Sequence, residues 1–319
     1  AWARSDFVVV RKGLAELAET TQTALAQYRY GRVLLEGRGG PQDVNSAIEW
    51  LSRAVEQNHA EAATLLARVY LSDLPNGPSR DPARAAELLA GSAPRGNAEA
   101  QYLLGLLYQA GDGVVADTNT ALNWYLAAAE AEHPAAQLAL ARLYLSAPEN
   151  SRNAEAGMTW LRRSAGNGVA QAQFELARAL GDSGEAVEWL WRAAEAGHAL
   201  AQRDLGTRYL QGTGGAEANP AEAFRWLRAA AQAGDPGAMH NIAMARASGT
   251  GTDKDLTEAA RWFRAGAEQG LGRSMVALAG LMIQGAGVEQ DTPAALNWLR
   301  RALETTDAAQ AKLALGRHA

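Results

Sequence analysis

The chain is predicted to fold as an all-α solenoid of stacked helix-turn-helix repeats, and three observations carry that prediction. Small residues recur: Ala26, Ala62, Ala100, Ala136, Ala172, Ala201, Ala238, Ser274 and Ala311 follow one another at intervals of 36, 38, 36, 36, 29, 37, 36 and 37 residues. Tryptophan recurs too, with Trp50, Trp124, Trp160, Trp189, Trp226, Trp262 and Trp298 at one place in the period and Leu88 standing there once. Inside the period, apolar residues lie three and four apart on both sides of a glycine-bearing link. In residues 100–136, for example, Ala100, Leu104, Gly105 and Tyr108 share one helical face and Ala121, Trp124, Tyr125 and Ala128 another. One such helix pair cannot bury its apolar stripes alone. Stacking on its neighbours does so, at a period slightly above the ~34 residues of tetratricopeptide repeats.

Taken in order, residues 1–25 fit a lone second helix, a half-repeat with Leu14 at the tryptophan position. Residues 26–310 hold eight repeats, with helix pairs expected near 26–57, 62–93, 100–131, 136–166, 172–196, 201–233, 238–269 and 274–304. Residues 311–319 begin a ninth. One continuous solenoid is expected. It is read as cut from a longer chain, because terminal repeats normally acquire polar faces and the sequence opens on Ala1 without an initiating Met. Repeat 5 is irregular: Ala172 to Trp189 spans 17 residues where Ala136 to Trp160 spans 24, so its link is shorter. Repeat 2 carries Pro75, Pro78 and Pro82, which stiffen an extended link. Asp43, Asp81, Asp117, Asp182, Asn219, Asp255 and Asp291 each stand four residues before the residue that opens the second helix's apolar face, as N-caps would, with Arg152 the exception.

Composition excludes several classes. The 30 basic and 35 acidic residues are interspersed and give a net charge of -5, so there is no basic footprint for nucleic acid. Cysteine is absent, which removes disulfides and thiolate metal sites but leaves the compartment open. The longest apolar runs, such as Phe7 to Val10, fall far short of the ~20 residues that span a bilayer.

Three stretches, LGLLYQAGDGVVADTNTALNWYLAAAEAEH, LGTRYLQGTGGAEANPAEAFRWLRAAAQAGD and LAGLMIQGAGVEQDTPAALNWLRRALE, resemble the Sel-one-like repeats, a branch of the tetratricopeptide-like α-solenoids. The resemblance runs from about Ala24 to the end. It implies a right-handed superhelix, a non-enzymatic role in holding proteins together, and no cofactor. The alanine- and arginine-rich composition is similar to that of bacterial members of the cell envelope, including those of exopolysaccharide secretion and its regulation. A periplasmic or envelope location is therefore expected, with the cytoplasm as the alternative. The cysteine-paired subgroup of the family does not match.

Most of the apparent sites follow the same repeat period. The glycine pairs Gly111 and Gly113, Gly212 and Gly214, Gly249 and Gly251, and Gly285 and Gly287 recur at the repeat period and read as turns rather than phosphate cradles. His59, His133 and His198 each stand three residues before an aligned alanine, so a helix-end role is expected and metal ligation is not. His240 and His318 are isolated, and no catalytic motif is found. The seven register tryptophans are expected as core wedges. Trp191, two residues beyond Trp189, and Trp2 fall outside that register, and Trp191 is a candidate exposed contact.

By analogy with tetratricopeptide arrays, the position six residues after each aligned alanine faces the groove. Arg32, Arg68, Arg142 and Arg178 hold it in repeats 1, 2, 4 and 5, with Leu106, Thr207, Met244 and Gly280 in the others. Four guanidinium groups would suit the carboxylates of an acidic peptide or polymer; the competing reading pairs each with a glutamate nearby. The leading function is thus a scaffold that docks another protein. A carbohydrate- or polymer-binding module of an envelope secretion complex is the second reading, and an unrecognised hydrolase the remote one.

Overall fold

In the computed structural model, which describes residues 2–146 and 153–316, the chain is built of α-helices joined by short links. No strand occurs among the described residues. A lone helix α1 (Trp2–Thr21) precedes eight consecutive pairs. These are α2 (Ala24–Glu36) and α3 (Val44–Glu56), α4 (Ala60–Leu71) and α5 (Pro82–Ser92), α6 (Ala98–Ala110) and α7 (Thr118–Glu130), and α8 (Pro134–Ser146) and α9 (Ala154–Gly166). The series continues with α10 (Ala170–Leu180) and α11 (Gly184–Glu195), α12 (Ala199–Gln211) and α13 (Pro220–Gln232), α14 (Pro236–Ser248) and α15 (Leu256–Glu268), and α16 (Gly272–Gln284) and α17 (Thr292–Ala302). A final helix, α18 (Ala308–Gly316), follows. Two compact units divide the chain, residues 1–163 and 164–319, and the boundary falls inside α9 rather than in a linker. Arg152 and His318 lie outside the described residues, as does the side chain of Trp2.

Within each unit a second helix packs on its own first helix and on the first helix that follows, as α3 does on α2 and α4, or α13 on α12 and α14. First helices also touch one another, α2 with α4 and α12 with α14, and so form a layer of their own. They begin two residues before the aligned alanine because that alanine is the third helical residue, where its N–H meets the cap. Asn97 accepts from Ala100 at 2.9 Å and Asp235 from Ala238 at 2.6 Å. The inter-repeat histidines do the same through Nδ1: His59 accepts from Ala62 at 3.3 Å, His133 from Ala136 and His198 from Ala201 at 3.2 Å each. In His133 the other ring nitrogen, Nε2, faces the Glu99 carboxylate at 2.9 Å and donates to it.

Six of the seven acidic or amide caps expected on second helices accept backbone N–H groups as anticipated: Asp43, Asp81, Asp117, Asn219, Asp255 and Asp291. The seventh, Asp182, does not. In the shortened link of repeat 5 the turn sits one residue closer to the helix, so Ser183 caps α11 through Ala186 N–H at 3.2 Å and Asp182 faces Arg208 at 3.6 Å. In α9 the cap is Asn153, accepting from Ala156 at 3.0 Å. The glycine pairs are turns throughout, each with a positive φ between 63° at Gly214 and 77° at Gly249.

The tryptophan register required correction. Trp50, Trp124, Trp160, Trp189, Trp262 and Trp298 are half-buried, and only Trp226, 3% exposed, is buried. The true wedge is the next residue: Leu51, Leu89, Tyr125, Leu161, Leu190, Leu227, Phe263 and Leu299 are all buried. One residue of helical rotation turns the leucine into the pair and leaves the indole along the junction with the preceding repeat. In four repeats its outer face is covered there by the arginine three residues on, as with Arg53 over Trp50 and Arg192 over Trp189, both 4.4 Å from the ring centroid. Where the wedge is the large Tyr125, the facing residue must be glycine, since a Cβ on Gly105 would lie 2.6 Å from the tyrosine ring.

A second internal ladder is made of glutamines. Gln101, Gln137, Gln173 and Gln202 are buried one residue after the aligned alanine, and each Nε2 donates to a carbonyl at the end of the preceding second helix: Ala93, Ala129, Ala165 and Ala194. Helix ends leave carbonyls without partners, and these amides satisfy one per junction. Its signal, a glutamine directly after the repeating alanine, is present in the sequence but reads as an ordinary polar surface position.

Candidate functional site

The outward face of the first helices is the surface that repeat packing leaves unused. At the position six residues after the aligned alanine, Arg32, Arg68, Leu106 and Arg142 are exposed in the first unit, and Arg178 and Met244 in the second. In the first unit Arg32 donates from Nε to Glu36 at 2.7 Å, and this hydrogen bond holds its pKa above the usual value. Glu36 also takes Arg38 at 2.7 Å. Arg68 makes no ion pair among the described residues. Its field falls on Glu99, whose carboxylate accepts from His133 Nε2 at 2.9 Å. That hydrogen bond, more than the charge of Arg68, lowers the Glu99 pKa. Arg32, Arg68, Tyr28, Glu36, Glu61 and Glu99 line a cleft of about 290 Å³. Arg29, one position N-terminal to Tyr30, is exposed and has no ion-pair partner among the described residues. Arg142 acts on Tyr102, whose phenol is pushed up chiefly by burial.

Two of the four predicted arginines, Arg32 and Arg68, thus share one cleft. Arg142 lies two repeats further along the same unit, and Arg178 belongs to the second unit, 5.9 Å from the Phe174 ring. Beyond Arg178, the same face of the second unit carries no arginine at this position and has Thr207, Met244 and Gly280 there. Leu210, Met244 and Ala245 form, with Thr207, Asn241 and Ser248, a cleft of about 250 Å³, and Met244 is 49% exposed. Two of the three cations at its border are occupied. Arg203 reaches Asp235 at 3.1 Å and Arg208 donates to the Gly214 carbonyl at 2.7 Å. Burial raises the pKa of Asp204. Burial also lowers that of His240 to about 4, helped by Arg273. Trp191 stands on α11 with 46% of its surface exposed.

No group of three or more His, Asp or Glu side chains that could hold a metal occurs among the described residues. No helix there is long and apolar enough to cross a membrane.

Comparison with known proteins agrees with this architecture. The family model of the Sel1 repeat matches residues 24–59, 60–92, 98–133, 134–169, 170–198, 199–235, 236–271 and 272–304, so its boundaries coincide with the first-helix starts. A protective antigen of uropathogenic Escherichia coli with an SLR fold superposes with a TM-score of 0.80 at 29% identity, over 97% of this chain and 67% of its own. A Sel1 repeat protein from Oxalobacter formigenes gives 0.70 at 28% identity, over 97% and 90%. In sequence, chitin synthase regulatory factor 3 of Schizosaccharomyces pombe is 31% identical over 63% of this chain, and the exopolysaccharide production negative regulator of Rhizobium meliloti is 36% identical over 22%. The chain spans about a quarter of the length of these curated relatives, 23% and 26%. With eight matched repeats covering most of its residues, the chain belongs to the Sel1 repeat family.

Proposed function

We propose that this chain is a non-catalytic scaffold whose first-helix face docks another protein within an assembly that regulates an envelope polysaccharide. The coarse part rests on the family, since Sel1 repeats serve as protein-interaction scaffolds and the named relatives are regulators. The finer part is carried by one observation: in the first unit the face holds exposed guanidinium groups at Arg29 and Arg68 that make no ion pair among the described residues. A stacked array presents such groups at fixed spacing and loses little conformational entropy on binding, and guanidinium forks suit carboxylates. The partner is therefore an acidic segment of a protein, and the setting a bacterial cell envelope.

Replacing Arg68 and Arg142 together by Glu tests this reading. The expected result is unchanged helical content by circular dichroism with salt-sensitive capture of the native partner abolished. Capture that persists at low salt would move the docking surface to the second unit. A parallel titration with an acidic polysaccharide, bound by the wild type and not by the double variant, would assign the arginines to a polymer instead.

A further inference from the structure

The junction of α3, α4 and α5 lacks the side chain that covers the same junction in the other repeats. Leu88 stands at the tryptophan position of α5, and Gly91 stands where four other repeats place the arginine that covers the indole. Elsewhere the indole lies against the two preceding helices: Trp124 packs on the cluster built from α5 and α6, Trp160 on that of α7 and α8, and Trp262 on that of α13 and α14. At the second junction the corresponding space is a cavity of about 250 Å³. Its floor is Val55, Ala63, Leu88 and Gly91, and a Cβ built on Gly91 would meet nothing within 4 Å.

The walls of this cavity are fixed. Arg95 donates to both the carbonyl and the side-chain oxygen of Asn58, at 2.9 and 3.0 Å. His59 caps α4 and stacks on Tyr28 at 4.8 Å. Charged groups stand at the rim: Arg84 and Arg95 as cations, and Glu87 as an acceptor. The first junction shows what an indole in place does. With Trp50 and Arg53 present the cleft there is larger, about 540 Å³, but it is lined mainly by Glu19, Gln22, Gln27, Glu56 and Gln57, and Gln57 bridges Gln22 and Gln27, so the two junctions differ in lining and not in room. An indole therefore turns the mouth of a junction polar, whereas its absence leaves apolar surface open between rigid walls.

We infer that the α3–α4–α5 junction is a binding pocket for an aromatic side chain, an indole first, presented by a partner protein. The occupant follows from the molecule itself, because seven repeats fill this position with tryptophan. A partner's indole regains the aliphatic contacts, with Arg84 and Arg95 as cations for its face; Arg84 holds the register position from which Glu185 serves Trp189 at 3.3 Å, so the acceptor for its N–H is Glu87 instead. The pocket lies apart from the first-helix arginines. Only the statement that its occupant comes from a protein rests on the scaffold reading.

The experiment is a methyl-NMR titration of the full chain with N-acetyl-tryptophanamide, with N-acetyl-leucinamide for comparison. Saturable shifts are expected at the Val55 and Ala63 methyls with the indole probe, and binding of the leucine probe weaker by roughly tenfold. Leu88→Trp, which the other repeats show to be compatible with the fold, should abolish the shifts, and Gly91→Arg should weaken them. Absent shifts in the wild type, or equal shifts in Leu88→Trp, would overturn the inference. The Arg68→Glu, Arg142→Glu variant should bind the probe normally. Failure of the arginine reading and failure of the pocket are therefore read separately.

Discussion

The two compact units are made from one repeat, yet they spend their outward first-helix positions differently. The first unit sets Arg32 and Arg68 in a cleft whose carboxylates only partly neutralise them, exposes Arg29 as well, and leaves one junction without its indole. In the second unit Arg203 pairs with Asp235 and Arg208 donates to a loop carbonyl, Arg178 stays exposed, and Met244 and Leu210 stand at a cleft that carries no arginine. Packing geometry is the same in both, so the difference is one of surface chemistry. A solenoid permits this because each repeat answers only to its neighbours, and outward positions vary without cost to the stack.

The largest expected effect breaks the comparison at the tryptophan register. Trp226→Ala in the second unit should cost about 3–5 kcal/mol, as buried aromatics do, while Trp50→Ala, half-buried under Arg53, should cost roughly half as much. Hydrogen exchange should quicken around Trp226 and hardly near Trp50. Equal losses for the two variants would mean that burial does not separate them.

Gly105→Ala comes next. Its methyl would press into the Tyr125 ring, and the first unit should lose roughly 1–3 kcal/mol, read by chemical denaturation. A stability equal to that of the wild type would show that the tyrosine can withdraw, although its hydroxyl is held by Gln109 at 2.7 Å.

The smallest effect concerns pH. His240, which faces Arg273 and Asp307 and bonds Ser274 at 3.0 Å, is held neutral down to about 4, chiefly by burial, and burial lowers His198 as well. Between the ordinary 6.5 and the folded value the unfolded chain binds a proton that the folded chain does not. The stability these rings contribute is therefore complete above 6.5 and is lost as the pH falls toward 4. In the first unit Glu99, whose pKa His133 lowers, begins to cost stability only below the ordinary 4.5. Exchange in α14–α16 should rise first on acidification, and His240→Asn should flatten that response. A second unit whose stability is constant through this window would contradict it.

Much of this was legible in the sequence because a repeat states each rule several times over. Helix pairs, caps and turns recur, and a single misleading residue is outvoted by its equivalents. Phase was less legible: alignment on the alanines set each pair two residues late, since alanine marks the buried third position and not the cap. Trp50 and its equivalents look like wedges in the sequence because an indole is the most conspicuous residue of the period. The buried wedge is the leucine beside it, and one step of helical rotation cannot be settled by spacing alone.

By itself, then, the sequence determined the period, the number of repeats, the shortened link of repeat 5 and the family, all of which are local and repeated. Only the tertiary structure decided which arginines are neutralised, as Arg32 is by Glu36 and Arg203 by Asp235, and which stand open, as Arg68 does. It alone exposed the vacancy beside Leu88 and the glutamines that reach back to the preceding helix. The physical reason is distance along the chain. Propensity and capping act within a few residues, whereas partners such as Arg203 and Asp235, or Gly91 and the end of α3, lie about one repeat apart and meet only when the stack forms.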